Sequence, residues 1–111
     1  MQFLLLIYEN EQRFASGFNP AEMQEYEAFG QQHASAIKGG NALQPTATAK
    51  TVRVRDKKVL TTDGPFAETK EQLGGYYLVD AANIDEATAM ASGIPAARYG
   101  SIEVRPIMVF S

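Results

Sequence analysis

Residues 62–80 read TDGPFAETKEQLGGYYLVD, and the predicted fold is organised around this stretch. Its Asp-Gly-Pro sequence at 63–65 is a strong turn signal, and the fixed φ of Pro65 favours a short helical turn after it. We expect Asp63 to cap that turn and Phe66 to anchor it in the core. The glycine pair at 74–75 predicts a bulge that bends the chain, and the aromatic residues after it predict a strand over 76–80. Folding alone rarely requires so many features in one short segment.

Length and composition limit the classes of protein to consider. The chain has 111 residues, 45% of them hydrophobic and 21% charged, so we expect one globular domain over residues 1–111. A formal net charge of −3 disfavours nucleic acid and anionic membranes as partners. There is no cysteine, which excludes thiol chemistry and fits a reducing cytoplasm. The longest apolar run, Phe3–Tyr8, is too short to span a bilayer and lacks the features of a signal peptide.

Apolar patterning predicts a strand and then a helix in the first third of the chain. The run Phe3–Tyr8 is apolar at odd and even positions, which is typical of a strand buried on both faces at the centre of a sheet. Asn19 and Pro20 form a helix start, and we expect the helix to run to about Lys38, before two glycines. Residues at helical spacing predict its buried stripe: Met23, Tyr26, Phe29, Gly30, His33 and Ile37.

The remaining elements are a hairpin, a second helix and a last strand. Residues 51–55 and 58–62 predict a hairpin joined across Asp56-Lys57, and the alternation of Val52 and Val54 with polar residues predicts that its first strand is half-buried. Asn83 predicts the cap of a short helix that ends at Gly93. A strand over 101–109 follows, and Pro106 within it indicates an edge position or a bulge because proline cannot donate to a ladder.

This order of elements predicts an α+β, ferredoxin-like sandwich, with two helices on one face of an antiparallel sheet. The other face of the sheet is then left open. Because the first strand is apolar on both faces, an open face would expose a large apolar patch. We therefore predict a homodimer with two-fold symmetry.

The candidate catalytic residues are His33 and Glu68. His33 is the only histidine, and it is either a proton-transfer group facing a pocket or an ordinary core residue of the first helix. Glu68 lies in a cluster of charges with Lys70 and Glu71 for which the sequence gives no structural duty. No spacing of histidines or carboxylates predicts a metal site, and we expect no cofactor.

The candidate ligand-binding residues are Asp63, Glu68, Lys70, Tyr76 and Arg98. The first three surround the turn, Tyr76 supplies a hydroxyl, and Arg98 lies in the loop before the last strand. Each has an ordinary structural alternative: a turn cap, a solvated charge, or a core residue whose polar end reaches solvent. A run of basic residues over 50–58 is interpreted either as an anion-binding strip or as a charged hairpin face that discourages edge pairing.

The chain resembles the DGPF-domain proteins of the YCII-related group. The sequence DGPFAETKE at 63–71 carries that resemblance, supported by MQFLLLIY at 1–8, PTAT at 45–48, TVRVR at 51–55, GGYYL at 74–78 and SIEVRP at 101–106. The resemblance covers nearly the whole chain and implies a ferredoxin-like fold that assembles as a dimeric α/β barrel.

The resemblance also implies a limited set of functions. Many such proteins are encoded beside extracytoplasmic-function sigma factors, so a sigma factor is an implied partner. Related enzymes resemble muconolactone isomerases and dehalogenases, and they carry a histidine at the start of the first helix and an aspartate before a late proline. Here Met23 and Ile94 stand at those places. We expect a binding or accessory module for a small anionic metabolite; the alternative is a cofactor-free isomerase, lyase or dehalogenase acting on a small carboxylated or lactone-like substrate.

Overall fold

A computed structural model describes residues 1–110 as an α+β fold. Its helices and strands, in chain order, are β1 (Gln2–Glu9), α1 (Pro20–Gln32), β2 (Ile37–Ala42), β3 (Lys50–Arg55), β4 (Lys58–Asp63), β5 (Gln72–Asp80), α2 (Ile84–Ala91) and β6 (Ser101–Pro106). Short 3₁₀ helices cover Glu11–Phe14, Thr46–Thr48 and Pro95–Arg98. An antiparallel sheet has the order β2-β5-β1-β6, and β3 and β4 form a separate two-stranded sheet. This arrangement agrees with the predicted ferredoxin-like sandwich.

Strand β1 lies at the centre of the four-stranded sheet, as predicted, between β5 and β6. Its odd-numbered residues Phe3, Leu5 and Ile7 are buried beneath the helices. Its even-numbered residues, such as Leu4 and Leu6, are only half-buried, so the prediction of burial on both faces is wrong for a single chain. The physical reason is that the helices cover one face of the sheet and the single chain leaves the other face open.

The core lies between the sheet and the two helices. Its largest fully buried side chains are Phe3, Leu5, Val79 and Ile94. Phe29 of α1 packs onto the sheet, with its ring 5.2 Å from the ring of Tyr77. Helix α2 adds three small or flexible apolar residues to the same core: Ala87, Met90 and Ala91.

Helix α1 begins as predicted but ends earlier. The Asn19 side chain accepts a hydrogen bond from the backbone N–H of Ala21, which satisfies one free donor of the first turn. The helix stops at Gln32, and the predicted glycine stop lies instead in β2. A Cβ on Gly40 would lie 2.7 Å from the carbonyl oxygen of Tyr76, so glycine is required there for close strand pairing. Pairing of β2 with β5 therefore overrides continuation of the helix.

The predicted hairpin is confirmed, but its burial is not. Asp56 has φ 51° and Lys57 has φ 64°, the left-handed pair that a two-residue hairpin turn requires. Val52 is 61% exposed and Val54 57% exposed, because β3 and β4 form their own sheet. The prediction that β3 is half-buried is wrong.

Residues 64–71 form bends rather than the predicted helical turn. Phe66 is 79% exposed and does not anchor a core. Asp63 lies at the end of β4 and pairs with Lys50, at 2.8 Å from Oδ1 to Nζ, instead of capping a turn. The pairing of Asp63 with Lys50 across the hairpin thus takes the place of the helical turn that Pro65 favours.

The predicted bulge at the glycine pair is confirmed inside β5. Ile7 pairs with Gly75 and Tyr8 pairs with Leu73, which leaves Gly74 as the extra residue. Further along the chain, Asn83 caps α2 by accepting a hydrogen bond from the backbone N–H of Glu86 at 2.9 Å. Strand β6 lies at an edge as predicted, although it ends at Pro106 rather than at residue 109. None of the helices in residues 1–110 has the length and apolar character needed to cross a membrane.

Candidate functional site

A cavity of about 500 Å³ lies beside the C-terminal end of β1. The Glu11–Phe14 helix, the start of α1, the end of β2 and the first half of β5 form the rest of its wall. Most of the wall is apolar, with side chains that include Phe14, Phe18, Tyr26, Leu43, Leu73 and Tyr77. The bulge at Gly74 forms part of this wall. The site is therefore built where the regular pairing of β1 with β5 is interrupted.

Two buried glutamates contribute the polar part of this wall. Glu9 ends β1 with the same alternation as Phe3, Leu5 and Ile7, so its side chain lies on the helix side of the sheet, and the residue is 7% exposed. Glu22 lies in the first turn of α1 and is 9% exposed. Carboxylates are rarely buried this deeply unless they are paired.

Arg13 joins the two glutamates. Its Nη1 contacts Glu9 Oε1, and its Nη2 donates to Glu22 Oε2 at 2.8 Å. We name this group the Glu9–Arg13–Glu22 cluster. The Arg13 guanidinium also lies over the ring of Tyr99, 3.9 Å from its centroid, which holds the arginine in place.

The second oxygen of Glu22 lacks a partner. Among residues 1–110, Glu22 Oε1 is buried and receives no hydrogen bond. An unsatisfied buried carboxylate oxygen is unfavourable, because it has lost its water without gaining a donor. Glu22, a residue of the cavity wall, therefore holds one oxygen that is closed to solvent and has no donor in the described part of the protein.

Burial and the neighbouring charges shift the pKa values of two groups in the cavity wall, Glu9 and Tyr26. Burial raises the pKa of Glu9; the Arg13 charge opposes that shift, while the carboxylates of Glu22 and Glu71 add to it. Burial raises the pKa of Tyr26 as well, and the charges of Glu9 and Glu22 raise it further. Glu9 is therefore the group in this wall best suited to holding a proton at a higher pH than an ordinary carboxyl.

A second contact secures the 3₁₀ helix that carries Arg13. The Glu11 carboxylate accepts a hydrogen bond from the backbone N–H of Thr46, at 3.0 Å to Oε1. Thr46 begins the 3₁₀ helix that follows β2, so this bond ties two sides of the cavity together.

Of the ligand-binding residues expected from the sequence, Tyr76 lines the cavity. Its hydroxyl accepts a hydrogen bond from the Asn41 side chain at 2.9 Å. Asp63 pairs with Lys50 on the hairpin, and Glu68 and Lys70 are exposed. Arg98 pairs with Glu25 at 2.8 Å, also on the exposed surface. The structure therefore does not bring the five residues into one site, and their binding roles remain predictions.

The histidine expected as a catalytic candidate lies elsewhere. His33 ends α1, and its ring is 4.7 Å from the ring of Phe29. It borders a shallow depression between α1 and α2 and does not line the cavity. This position agrees with the alternative that His33 is a packing residue.

The Glu9–Arg13–Glu22 cluster was missed from the sequence, although two of its members carry a signal. Glu9 continues the odd-numbered buried face of β1, and Glu22 precedes Tyr26 and Phe29 by four and seven residues, the spacing of one helix face. Arg13, in the short 3₁₀ helix that follows β1, gave no signal. Residues 1–110 contain no cluster of three or more potential metal ligands.

Comparison with known proteins adds the family. The model of the YCII-related domain matches residues 1–111. This chain belongs to the YCII-related family. The narrower resemblance to DGPF-domain proteins remains a prediction. Met23 and Ile94, the positions that the resemblance implies for a histidine and an aspartate in related enzymes, do not line the cavity: Met23 is 59% exposed, and Ile94 is 1% exposed in the core.

Two individual proteins are similar to this YCII-related chain. An uncharacterised protein of Rhizobium meliloti (strain 1021) is 37% identical over 118 residues, covering 99% of this chain and 94% of the relative. The structure of 5-chloro-2-hydroxyhydroquinone dehydrochlorinase from Burkholderia phenoliruptrix AC1100, in complex with 2,5-dihydroxybenzoquinone, has a TM-score of 0.57. The match covers 97% of this chain and 94% of the dehydrochlorinase chain at 13% sequence identity, which shows a shared fold.

Proposed function

We propose that this YCII-related protein is a homodimeric binding module that holds a small organic molecule in the cavity beside β1. The observation that carries the proposal is the cavity itself, about 500 Å³ in volume, with an apolar wall and a few converging polar groups. Small-molecule sites in proteins typically have this size and this composition.

The charges on the wall favour an uncharged ligand. Glu9, Glu11 and Glu22 line the cavity, and the described lining includes no lysine, arginine or histidine. An anion would lie close to these carboxylates without a cation of its own to pair with. The anionic metabolite expected from the sequence remains a prediction, and this lining does not favour it. A sigma factor partner also remains a prediction, because it rests on the family resemblance.

The open face of the sheet supports the homodimer. Leu4, Leu6 and Leu78 lie on the face opposite the helices, where the described chain places no helix. The hairpin and the chain after β6 add exposed apolar residues, among them Val59 at 68% and Phe110 at 85% exposed. A second copy would remove both surfaces from water, and face-to-face association would give the dimeric α/β barrel.

Light scattering after size-exclusion chromatography tests the homodimer. We expect a dimer at micromolar protein concentration, and a monomer for Leu6→Asp, because the new charge would lie at the centre of the interface. The exposed substitution Glu27→Asp on α1 is the control and should remain dimeric. A monomeric wild-type protein would contradict the homodimer.

Ligand binding is tested by chemical shifts in two-dimensional NMR spectra with a panel of ring-sized neutral molecules, organic acids and phosphates. We expect neutral molecules to perturb residues of the cavity wall. Ala42→Phe should weaken that binding, because Ala42 lines the cavity, whereas Ala28→Phe on the exposed side of α1 should not. If no molecule in the panel perturbs the cavity wall, the proposed site is wrong.

A cofactor-free enzyme is the second candidate, and the raised pKa of Glu9 favours it. A buried carboxyl beside an apolar cavity is suited to giving or taking a proton. The dehydrochlorinase with a similar fold acts on a hydroxylated ring, which makes neutral hydroxylated rings reasonable substrates to include. Turnover that is lost in Glu9→Gln but retained in His33→Ala and Glu68→Gln would favour this candidate, while recovery of every bound molecule unchanged would favour the binding module.

A further inference from the structure

Three glutamates line the cavity, and most of their carboxylate oxygens are already used. Both oxygens of Glu11 accept the backbone N–H of Thr46, at 3.0 and 3.3 Å. Arg13 contacts Glu9 Oε1 and Glu22 Oε2, while Glu22 Oε1 is closed to solvent. Glu9 Oε2 remains, and it accepts no hydrogen bond from residues 1–110.

Glu9 Oε2 is open, although Glu9 as a whole is only 7% exposed. Among the buried and half-buried side chains of residues 1–110, Glu22 Oε1 is the one polar atom that is both closed to solvent and without a partner. Glu9 Oε2 has no partner either, so it must retain accessible surface, and Glu9 lines the cavity. An acceptor in such a place is normally satisfied by an ordered water or by a ligand.

We propose that the ligand is a ring-bearing molecule whose hydroxyl group donates a hydrogen bond to Oε2 of ionised Glu9, and that proton uptake at this oxygen removes the preference for that hydroxyl. This inference rests on the proposed function, since it assigns the ligand chemistry and the pH response of the same cavity.

The remaining wall accounts for the ring. Aromatic side chains contribute much of the surface that faces the space, among them Phe14, Phe18 and Tyr26. A flat ring gains favourable contact with such side chains, and its burial removes apolar surface from water. A hydroxyl group on that ring loses its water on entry, and Glu9 Oε2 supplies the acceptor that replaces it.

Proton uptake converts the same oxygen from an acceptor to a donor. The charged and titratable groups that face Glu9 come from three segments of the chain: Arg13 from the 3₁₀ helix, Glu22 and Tyr26 from α1, and Glu71 from the segment before β5. Burial raises the pKa of Glu9, and the Arg13 charge opposes that rise without cancelling it. Because Arg13 Nη1 already donates to Oε1, the added proton is held by Oε2. A protonated Oε2 donates to any ligand oxygen, so it no longer distinguishes a hydroxyl from an ether.

NMR titration with phenol and anisole tests this chemistry. Anisole has the ring and the oxygen of phenol but cannot donate. At pH 8, where phenol is still neutral, we expect phenol to bind about 10-fold more tightly than anisole. This ratio corresponds to about 1.4 kcal/mol, close to the lower end of what a hydrogen bond to a charged group contributes. The ratio should approach one as the pH is lowered through the pKa of Glu9.

The side-chain carboxyl ¹³C shift of Glu9 gives an independent measurement in the wild-type protein. A ligand that binds the ionised form more tightly must stabilise that form, by thermodynamic linkage. Saturating phenol should therefore lower the pKa of Glu9, whereas saturating anisole should not. A purely structural role for Glu9 would leave its pKa the same with either molecule.

Variants assign the preference to Glu9. The phenol-to-anisole ratio at pH 8 should fall to near one in Glu9→Gln, because an uncharged amide is a weaker acceptor and can also donate to anisole. It should stay near its wild-type value in Glu27→Gln, which removes an exposed carboxylate of α1. The ratio is taken within each variant, so a change in cavity shape affects both molecules. If Glu9→Gln does not fold or binds neither molecule, the pKa measurement on the wild-type protein decides.

The outcomes separate this inference from the proposed function. Equal binding of phenol and anisole to the wild-type protein at pH 8 would overturn the inference while leaving the cavity a binding site. A preference for phenol that persists in Glu9→Gln, or a Glu9 pKa that saturating phenol does not lower, would also overturn it. Failure of both molecules, together with the wider panel, would instead overturn the proposed function.

Discussion

Replacement of Arg13 by methionine tests the structural role of the Glu9–Arg13–Glu22 cluster. The change keeps an unbranched apolar stem but leaves two glutamates, 7% and 9% exposed, without their shared cation. Removing one partner of a buried ion pair destabilises proteins by about 3–5 kcal/mol. Because the Arg13 side chain is itself 24% exposed, we expect a loss near the lower limit, about 3 kcal/mol. At roughly 4 °C for each kcal/mol, the midpoint of thermal unfolding should fall by about 12 °C.

The loss should depend on pH in a defined direction. Without Arg13 the pKa of Glu9 rises further, since the arginine charge is what opposes the effect of burial. The native state then binds more protons than the unfolded state above the ordinary carboxyl pKa, so the free energy of unfolding falls as pH increases. The destabilisation should therefore be larger at about pH 8 than at about pH 5, where the carboxyls become neutral.

Urea unfolding at both pH values, at one protein concentration, measures these differences. Arg98→Met is the matched control, because Arg98 also pairs with a glutamate at 2.8 Å but both side chains are about half exposed, at 52% and 44%. Such exposed pairs contribute little because water and salt screen them, so this variant should lose little stability. The reasoning is refuted if Arg13→Met loses no more stability than Arg98→Met, or if its loss is the same at both pH values.

Three further variants test the titration of Glu9 and the space around two glycines. In Glu9→Gln we expect the free energy of unfolding to depend less on pH. The wild-type protein loses stability as pH rises from the ordinary carboxyl pKa through the raised pKa of Glu9, and the variant lacks this titration. An unchanged slope in urea titrations would show that Glu9 titrates normally. Gly100→Ala should destabilise the fold by about 2 kcal/mol or more, since the new Cβ would overlap the carbonyl oxygen of Tyr8. Gly30→Ala, with nothing within 4 Å of its new Cβ, should instead stabilise α1 by about 0.5–1 kcal/mol. If thermal unfolding ranks Gly100→Ala as more stable than Gly30→Ala, the contacts described for these two glycines are wrong.

Features with a local physical cause were predictable from the sequence. The hairpin turn needs two positive φ angles at Asp56-Lys57, the bulge needs an extra glycine in β5, and the α2 cap needs the Asn83 side chain. Each of these is determined by a few neighbouring residues. The edge position of β6 followed in the same way from Pro106, which has no N–H to donate.

Features that depend on distant partners were not predictable. The end of α1 is set by pairing of β2 with β5, and the exposure of Val52 is set by separation of the hairpin from the main sheet. The cluster combines Glu9 from a strand, Arg13 from a 3₁₀ helix and Glu22 from α1. Glu9 and Arg13 are only four residues apart, but Glu22 joins them only when α1 packs on the sheet, so no single spacing along the chain relates all three residues.

The structure changes the role of the charged segment at 68–71. Glu68 and Lys70 are exposed, whereas Glu71 is half-buried and accepts a hydrogen bond from the Ser101 hydroxyl at 2.9 Å. That bond joins the start of β5 to the start of β6 on either side of β1, and Glu71 is close enough to raise the pKa of Glu9. The segment therefore acts on the cavity through its last residue, by fixing the entry to β5 and by adding negative charge beside the buried carboxyl.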